Sequence, residues 1–253
     1  MIGFLTRLRK ALSQARYSPV VQRAESPMDA VRLAYWVEKK PLRMDLPVSM
    51  LRSHGAFRYG PDHPFQVGMR DGKAGLARFF DGFQPVDLRS MYGLSRGCTG
   101  AELPQWTLPW RLRAENLPPP GEKGLPASQG TAFYGPCSAA KVALEHRRLA
   151  GVLRSIQRKG YNPDRHGDIE GYLLTDGTRA CFFVMGGKHR AAALAQMGHS
   201  HVPVRLRPGL LSVIDARSLA DWPMVVSGQV SPETARAVLE VYLAGRGMAD
   251  VLG

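Results

Sequence analysis

The sequence predicts a mixed α+β fold, with a mainly helical, irregular N-terminal region over residues 1–100, a Pro/Gly-rich connection over 101–130 and an α/β unit over 131–253. Three observations carry that expectation. Apolar residues recur at helical spacing in several separate segments, a hairpin signal and a β-branched run fall in the second half, and a glycine pair stands between a strand pattern and a helix pattern. At 253 residues with 44% apolar content, the chain has enough material to bury a substantial core.

"MIGFLTRLRKALSQAR" spaces Ile2, Leu5, Leu8 and Leu12 for a helix and sets Arg7, Arg9, Lys10 and Arg16 among them, with no acid before Glu25. This suits a first helix docked on the domain or, alternatively, a basic helix lying on a membrane surface through residues 1–16. "SPMDAVRLAYWV" predicts a helix capped by Ser26 and opened by Pro27, with Val31, Ala34 and Tyr35 turned inward. "LPVSML" and "AFRY" read as short extended pieces. "DGKAGLARFFDGF" then offers Leu76, Phe79, Phe80 and Phe83 as one helical face. The connection that follows has little periodicity, and Trp106 and Trp110 are its natural anchors.

The second half is better punctuated. Ser138 should cap a helix carrying Val142, Leu149, Val152, Leu153 and Ile156 and ending at Gly160. Asp176-Gly177 marks a hairpin turn before the run Cys181 to Met185, "RAAALAQMG" is a helix ended by Gly198, and "HVPVRL" is a strand. The last helix repeats the Ser-Pro start and directs Ala235, Val238, Leu239 and Tyr242 inward.

The formal charge of +13 favours phosphate-rich partners or an anionic surface, although an Arg-rich solvated surface gives the same sum. Cys98, Cys137 and Cys181 are too widely spaced for a zinc site or disulfide framework, and no structural metal is expected. No apolar run approaches the roughly 18 residues of a membrane span, so the expected location is cytoplasmic, with peripheral membrane contact as the variant.

"MGGKHRAAALAQMG" (185–198) places Gly186 and Gly187 where the backbone can turn sharply, and Lys188, His189 and Arg190 where a new helix presents unpaired amides and the positive end of its dipole. That combination suits an anion. It equally suits a plain turn with solvated basic side chains.

The order "ExxRLxxVxxSIxxxG" (145–160), hairpin, "GGKHR", "VPVRL" resembles the ParB/sulfiredoxin superfamily over residues 135–207. There, a Gly-containing turn ending in Arg ("GGCHR" in sulfiredoxins, "GERR" in ParB partition proteins, "DGHHR" in free-serine kinases) opens the helix after the strand. "WPMVVSG" (222–228), with "HPF" at 63–65 and "QP" at 84–85, resembles ParB-like proteins of unassigned role encoded among bacterial surface-polysaccharide genes.

The resemblance implies that the turn binds nucleotide phosphates of ATP, ADP or CTP, with Gly187, His189 and Arg190 matching its motif; Gly186 and Lys188 complete the turn, and the helix start capped by Ser138 is a second anion site. It gives Glu145 the place of a carboxylate that takes a hydroxyl proton during phosphoryl transfer. Asp168 and Glu170 are the candidate Mg²⁺ ligands, with a solvated loop as the plainer reading. Lys188 stands where sulfiredoxins carry their nucleophilic cysteine, which excludes that chemistry, and the roughly 46 residues after Leu206 leave no room for a ParB DNA-binding module. The expected function is a nucleotide-dependent phosphotransferase, kinase-like, acting on a small hydroxylated molecule such as a sugar. The alternatives are a non-catalytic nucleotide-dependent regulatory or assembly protein, and a nucleic-acid binder whose affinity falls steeply with salt.

Overall fold

A computed structural model describes residues 21–36, 43–112, 115–116, 124–130, 137–207 and 211–252. Its centre is a seven-stranded mixed sheet ordered β1-β2-β6-β4-β5-β3, with β7 also on β4. The strands are β1 (Val21–Arg23), β2 (Arg43–Pro47), β3 (Leu51–Arg52), β4 (Ile169–Thr175), β5 (Ala180–Gly186), β6 (His201–Leu206) and β7 (Val213–Asp215). The fold class is thus α+β. The basic stretch 1–16 and residues 131–136, which lead into the helix that Ser138 caps, lie outside the described residues.

The hairpin β4–β5 forms as the turn signal predicts. Its loop is four residues rather than two, because Asp176 Oδ1 accepts from both Thr178 N and Arg179 N and closes a wider turn. β6 and β7 run parallel to β4 along one edge, β6 beside Ile169–Gly171 and β7 beside Leu173–Thr175. Strands from the first 52 residues complete the sheet on both sides, β2 antiparallel to β6 and β3 parallel to β5. "LPVSML" therefore contributes the ends of two sheet strands, whereas "AFRY" makes only isolated bridges.

Ten helices surround the sheet among the described residues. α1 is Pro27–Trp36, α2 Pro64–Arg70, α3 Gly72–Gly82, α4 Leu88–Tyr92 and α5 Ala139–Lys159. α6 is Pro163–His166, α7 Lys188–Gln196, α8 Pro223–Val226, α9 Pro232–Ala244 and α10 Ala249–Leu252. Ser26, Ser138 and Ser231 each accept a bond from the amide three residues on, as their positions predict. Leu76, Phe79, Phe80 and Phe83 are buried, as are Ala235, Val238, Leu239 and Tyr242.

One inward assignment fails. Tyr35 is 53% exposed, with its hydroxyl on Asp215, because α1 buries the stripe Ala30, Val31 and Ala34 and the position after Ala34 turns toward solvent.

β4 is buried along nearly its whole length because both faces are covered. Thr175 meets Met28 of α1, while Tyr172, on the opposite face by strand alternation, packs edge-on against Phe183. Phe183 in turn meets Tyr242 of α9, and Trp110 donates to the Tyr172 hydroxyl at 2.7 Å. Trp110 is thus an anchor, as is Trp222 against it, and Val225 packs on the core. Cys181 is a core residue whose thiol burial pushes up to about 12.

Candidate functional site

β5 carries Cys181–Val184 through the core and ends at Gly186, and the chain turns at Gly187 into α7. Gly187 takes φ 78° and ψ 20°, in the left-handed region, and a Cβ there would lie 3.0 Å from the Asp168 carbonyl oxygen. Glycine is therefore required on two counts, backbone angle and space. Gly187 brings no side chain to cap the helix, so α7 begins with amides that no cap satisfies.

His189, in the first turn of α7, reaches back to α5. Its Nε2 lies 2.9 Å from Glu145 Oε2, and its ring stacks on Phe65 of α2 at 5.0 Å between centroids and 11° between planes. Glu145 is only 1% exposed, and its other oxygen meets Lys141 Nζ at 3.3 Å and Arg148 Nη1 at 3.4 Å.

Burial opposes the charge on Glu145, yet the His189 hydrogen bond and charge, with the Lys141 ammonium, hold the carboxyl down at about 2. An ionised carboxylate only accepts, so Nε2 of His189 carries the hydrogen toward it, and Nδ1 is the ring nitrogen that faces away from Glu145. Nδ1 makes no hydrogen bond among the described residues, and the side chain is 28% exposed. A carboxylate behind a partly exposed imidazole is an arrangement that can accept a proton at Nδ1 and stabilise the resulting imidazolium.

Arg190 turns away from Glu145 and lies against the glycine turn, its Nη2 3.0 Å from where a Cβ on Gly187 would stand. Its Nη2 donates to the Asp168 carbonyl at 2.8 Å, and its Nε is buried without a hydrogen-bond partner among the described residues. The Asp168 carboxylate is held by Arg43 Nε at 2.6 Å and Arg205 Nη1 at 3.2 Å, and Glu170 by Arg205 Nη2 at 2.5 Å. Arg43 also binds Asp164 at 2.7 Å, and Tyr161 closes the loop through its bond to the Gly167 carbonyl.

With their charges compensated by arginine, Asp168 and Glu170 form an ionic brace beneath the glycine turn rather than an oxygen cage for Mg²⁺. No cluster of three or more His, Cys, Asp or Glu that suits a metal occurs among the described residues.

The structure therefore joins Glu145 with His189, and joins Gly187, Arg190 and Asp168; Glu170 is paired in register with Gly186. Ser138 caps α5 through Lys141 N at 3.1 Å, and no hydrogen bond among the described residues connects it to the turn. Sequence reasoning missed Lys141, Phe65, Arg43 and Arg205. The i,i+4 spacing of Lys141 and Glu145 was a readable signal. Phe65 and Arg43 lie more than a hundred positions from their partners; "HPF" drew notice to Phe65 without pointing to His189, and Arg43 left no signal.

A separate cleft of about 460 Å³, lined by Trp110, Arg111, Tyr172, Ile214 and Pro223 among others, contains none of the predicted site residues. No family model matches the chain, and no curated protein or solved structure matches it either.

Proposed function

We propose that this chain is a nucleotide-binding protein of the ParB/sulfiredoxin-like type that transfers a phosphoryl group to a small hydroxylated molecule, such as a sugar intermediate of surface-polysaccharide synthesis. The observation that carries the reading is buried Glu145 of α5 bonded to His189, which stands in the first turn of α7, a helix opened by a left-handed glycine. The uncapped amides of α7, with Lys188 and Arg190, favour the terminal phosphates of ATP, ADP or CTP.

The acceptor hydroxyl attacks the terminal phosphorus, its oxygen forms the new P–O bond, and the bond to the leaving nucleotide breaks. The hydroxyl proton passes to His189 Nδ1, and Glu145, which lies behind the ring, positions it and balances its charge. This gives Glu145 a positioning role rather than that of the base itself. Asp168 and Glu170 do not fit Mg²⁺, and a cation that accompanies the nucleotide would be held by its phosphates.

Calorimetric titration with ATP, ADP, CTP and GTP, with and without Mg²⁺, tests the reading. We expect binding that Arg190→Ala loses and His189→Asn retains, with phosphoryl transfer lost in His189→Asn. A folded wild-type protein that binds no nucleotide would make the turn purely structural. The pairing of Glu145 with the two cations Lys141 and Arg148 as well as with His189 favours a second reading, a non-catalytic nucleotide-dependent regulatory protein. Binding without turnover, together with full cellular function of Glu145→Gln, would select it.

A further inference from the structure

α5 buries Val142, Glu145, Leu149 and Ile156 and turns the opposite stripe outward. That stripe runs through Arg147, Gly151, Arg154 and Arg158, spaced by four, three and four residues, and all three arginines are exposed. Added bulk at Gly151 would meet nothing within 4 Å, so the middle of the row is open, while Arg147 at one end borders a cleft shared with Gly124 and Leu125.

Glu145 is the sole acid of the 21-residue helix, and it is buried toward His189. None of the three arginines has an ion-pair or hydrogen-bond partner among the described residues. Lys159 and Arg165, both exposed, extend the positive charge beyond the end of the helix. Most other arginines of the sheet and its loops are committed: Arg43, Arg52, Arg205 and Arg246 all bond to carboxylates or carbonyls.

We infer that this outer face of α5 is a docking surface for a nucleic-acid duplex, bound through its phosphates without base selection. Arg147 to Arg158 span roughly 16 Å at 1.5 Å per residue. One strand of a duplex presents about five phosphates over that length of axis. A rigid helical row of cations, about 10 and 6 Å apart, suits a polyanion that offers several phosphates within that span.

The face does not suit a lipid surface as well, because the exposed large apolar residues (Tyr35, Val86, Leu112, Met197, Leu211 and Val226) all lie on other elements and none could insert beside the arginines. The inference is independent of the phosphotransfer reading, since the row points away from the face that holds Glu145.

The test is fluorescence anisotropy of labelled 20-base-pair DNA and RNA duplexes against the full chain over a series of salt concentrations. The comparison is between wild type, Arg147→Gln/Arg154→Gln/Arg158→Gln, and Arg96→Gln/Arg207→Gln/Arg236→Gln, which removes equal charge from exposed positions elsewhere. Binding of either duplex is expected. The α5 triple variant should weaken it by at least tenfold at low salt and lower the salt slope by about three, while the control triple changes it little.

Thermal melting of both triples verifies that they fold, as exposed arginines allow; single substitutions along the row substitute for a triple that does not. Three results would overturn the inference: no duplex binding by wild type at low salt, equal losses in the two triples, or stronger row-dependent binding to phosphatidylserine vesicles than to either duplex.

Discussion

Glu145 and Lys141 are both buried to 1% or less, and their pairing is stable only as a set with His189 and Arg148. Removing one member strands the others. Glu145→Ala should therefore cost on the order of 3–5 kcal/mol, the cost of leaving a buried charge unpaired, and Glu145→Gln somewhat less; urea unfolding measures both. His189→Asn leaves Lys141 paired, so it should lower stability less than Glu145→Gln while abolishing any proton transfer at Nδ1. Gly187→Ala should destabilise by more than 1 kcal/mol, because it combines the left-handed angle with a clash against the Asp168 carbonyl. A melting temperature unchanged in Gly187→Ala would contradict the geometry of the turn.

At the scale of elements, α2 begins at a histidine that cannot take up a proton in place. His63 Nδ1 accepts from Phe65 N at 3.1 Å, so its Nε2 carries the hydrogen and donates to Ser53 Oγ. Burial depresses His63 to about 3, and burial with the positive charges of Lys188, Arg246 and Arg111 does the same to His54.

The sign follows from the folded values lying below the ordinary 6.5: between about pH 6.5 and 3 the unfolded chain binds two more protons than the folded one. The stabilisation is complete above about 6.5 and is lost as pH falls. Stability should thus decline by roughly 3 kcal/mol per pH unit near pH 5, and His63→Gln should halve that slope. Glu145, depressed from 4.5 to about 2, adds a further loss only below about pH 4.5. Urea midpoints from pH 7 to 4 check the slope, and a flat profile would exclude neutral buried imidazoles.

At the scale of the whole molecule, Arg246 ties the C-terminal end to residues 55–92. Its guanidinium donates to the Gly55 and Met91 carbonyls at 2.6 Å each and lies over the rings of Phe57 and Phe83 at 5.0 and 5.2 Å. Arg246→Ala removes two charged hydrogen bonds and a desolvated cation–π contact, so a loss of about 3–4 kcal/mol is expected by urea unfolding, with Arg246→Lys recovering part.

The same long-range stitching explains what was readable from the linear chain. Ser26, Ser138 and Ser231 marked their helices, the phenylalanines of α3 marked its buried face, and the glycine pair marked the turn before α7, because caps, periodicity and left-handed angles act within about four residues. Together with the hairpin turn and the β-branched run of the second half, those signals give the mixed α+β class.

Which strands neighbour one another, that the first 52 residues flank the central hairpin, and that Phe65 and Glu145 enclose His189 depend on contacts across 44 to 162 positions. Such contacts form only when the chain has collapsed, and no local pattern records them. So it is with Asp168 and Glu170: as letters they suggest a cation site, and only the folded sheet, which brings Arg43 and Arg205 against them, makes them an ionic brace.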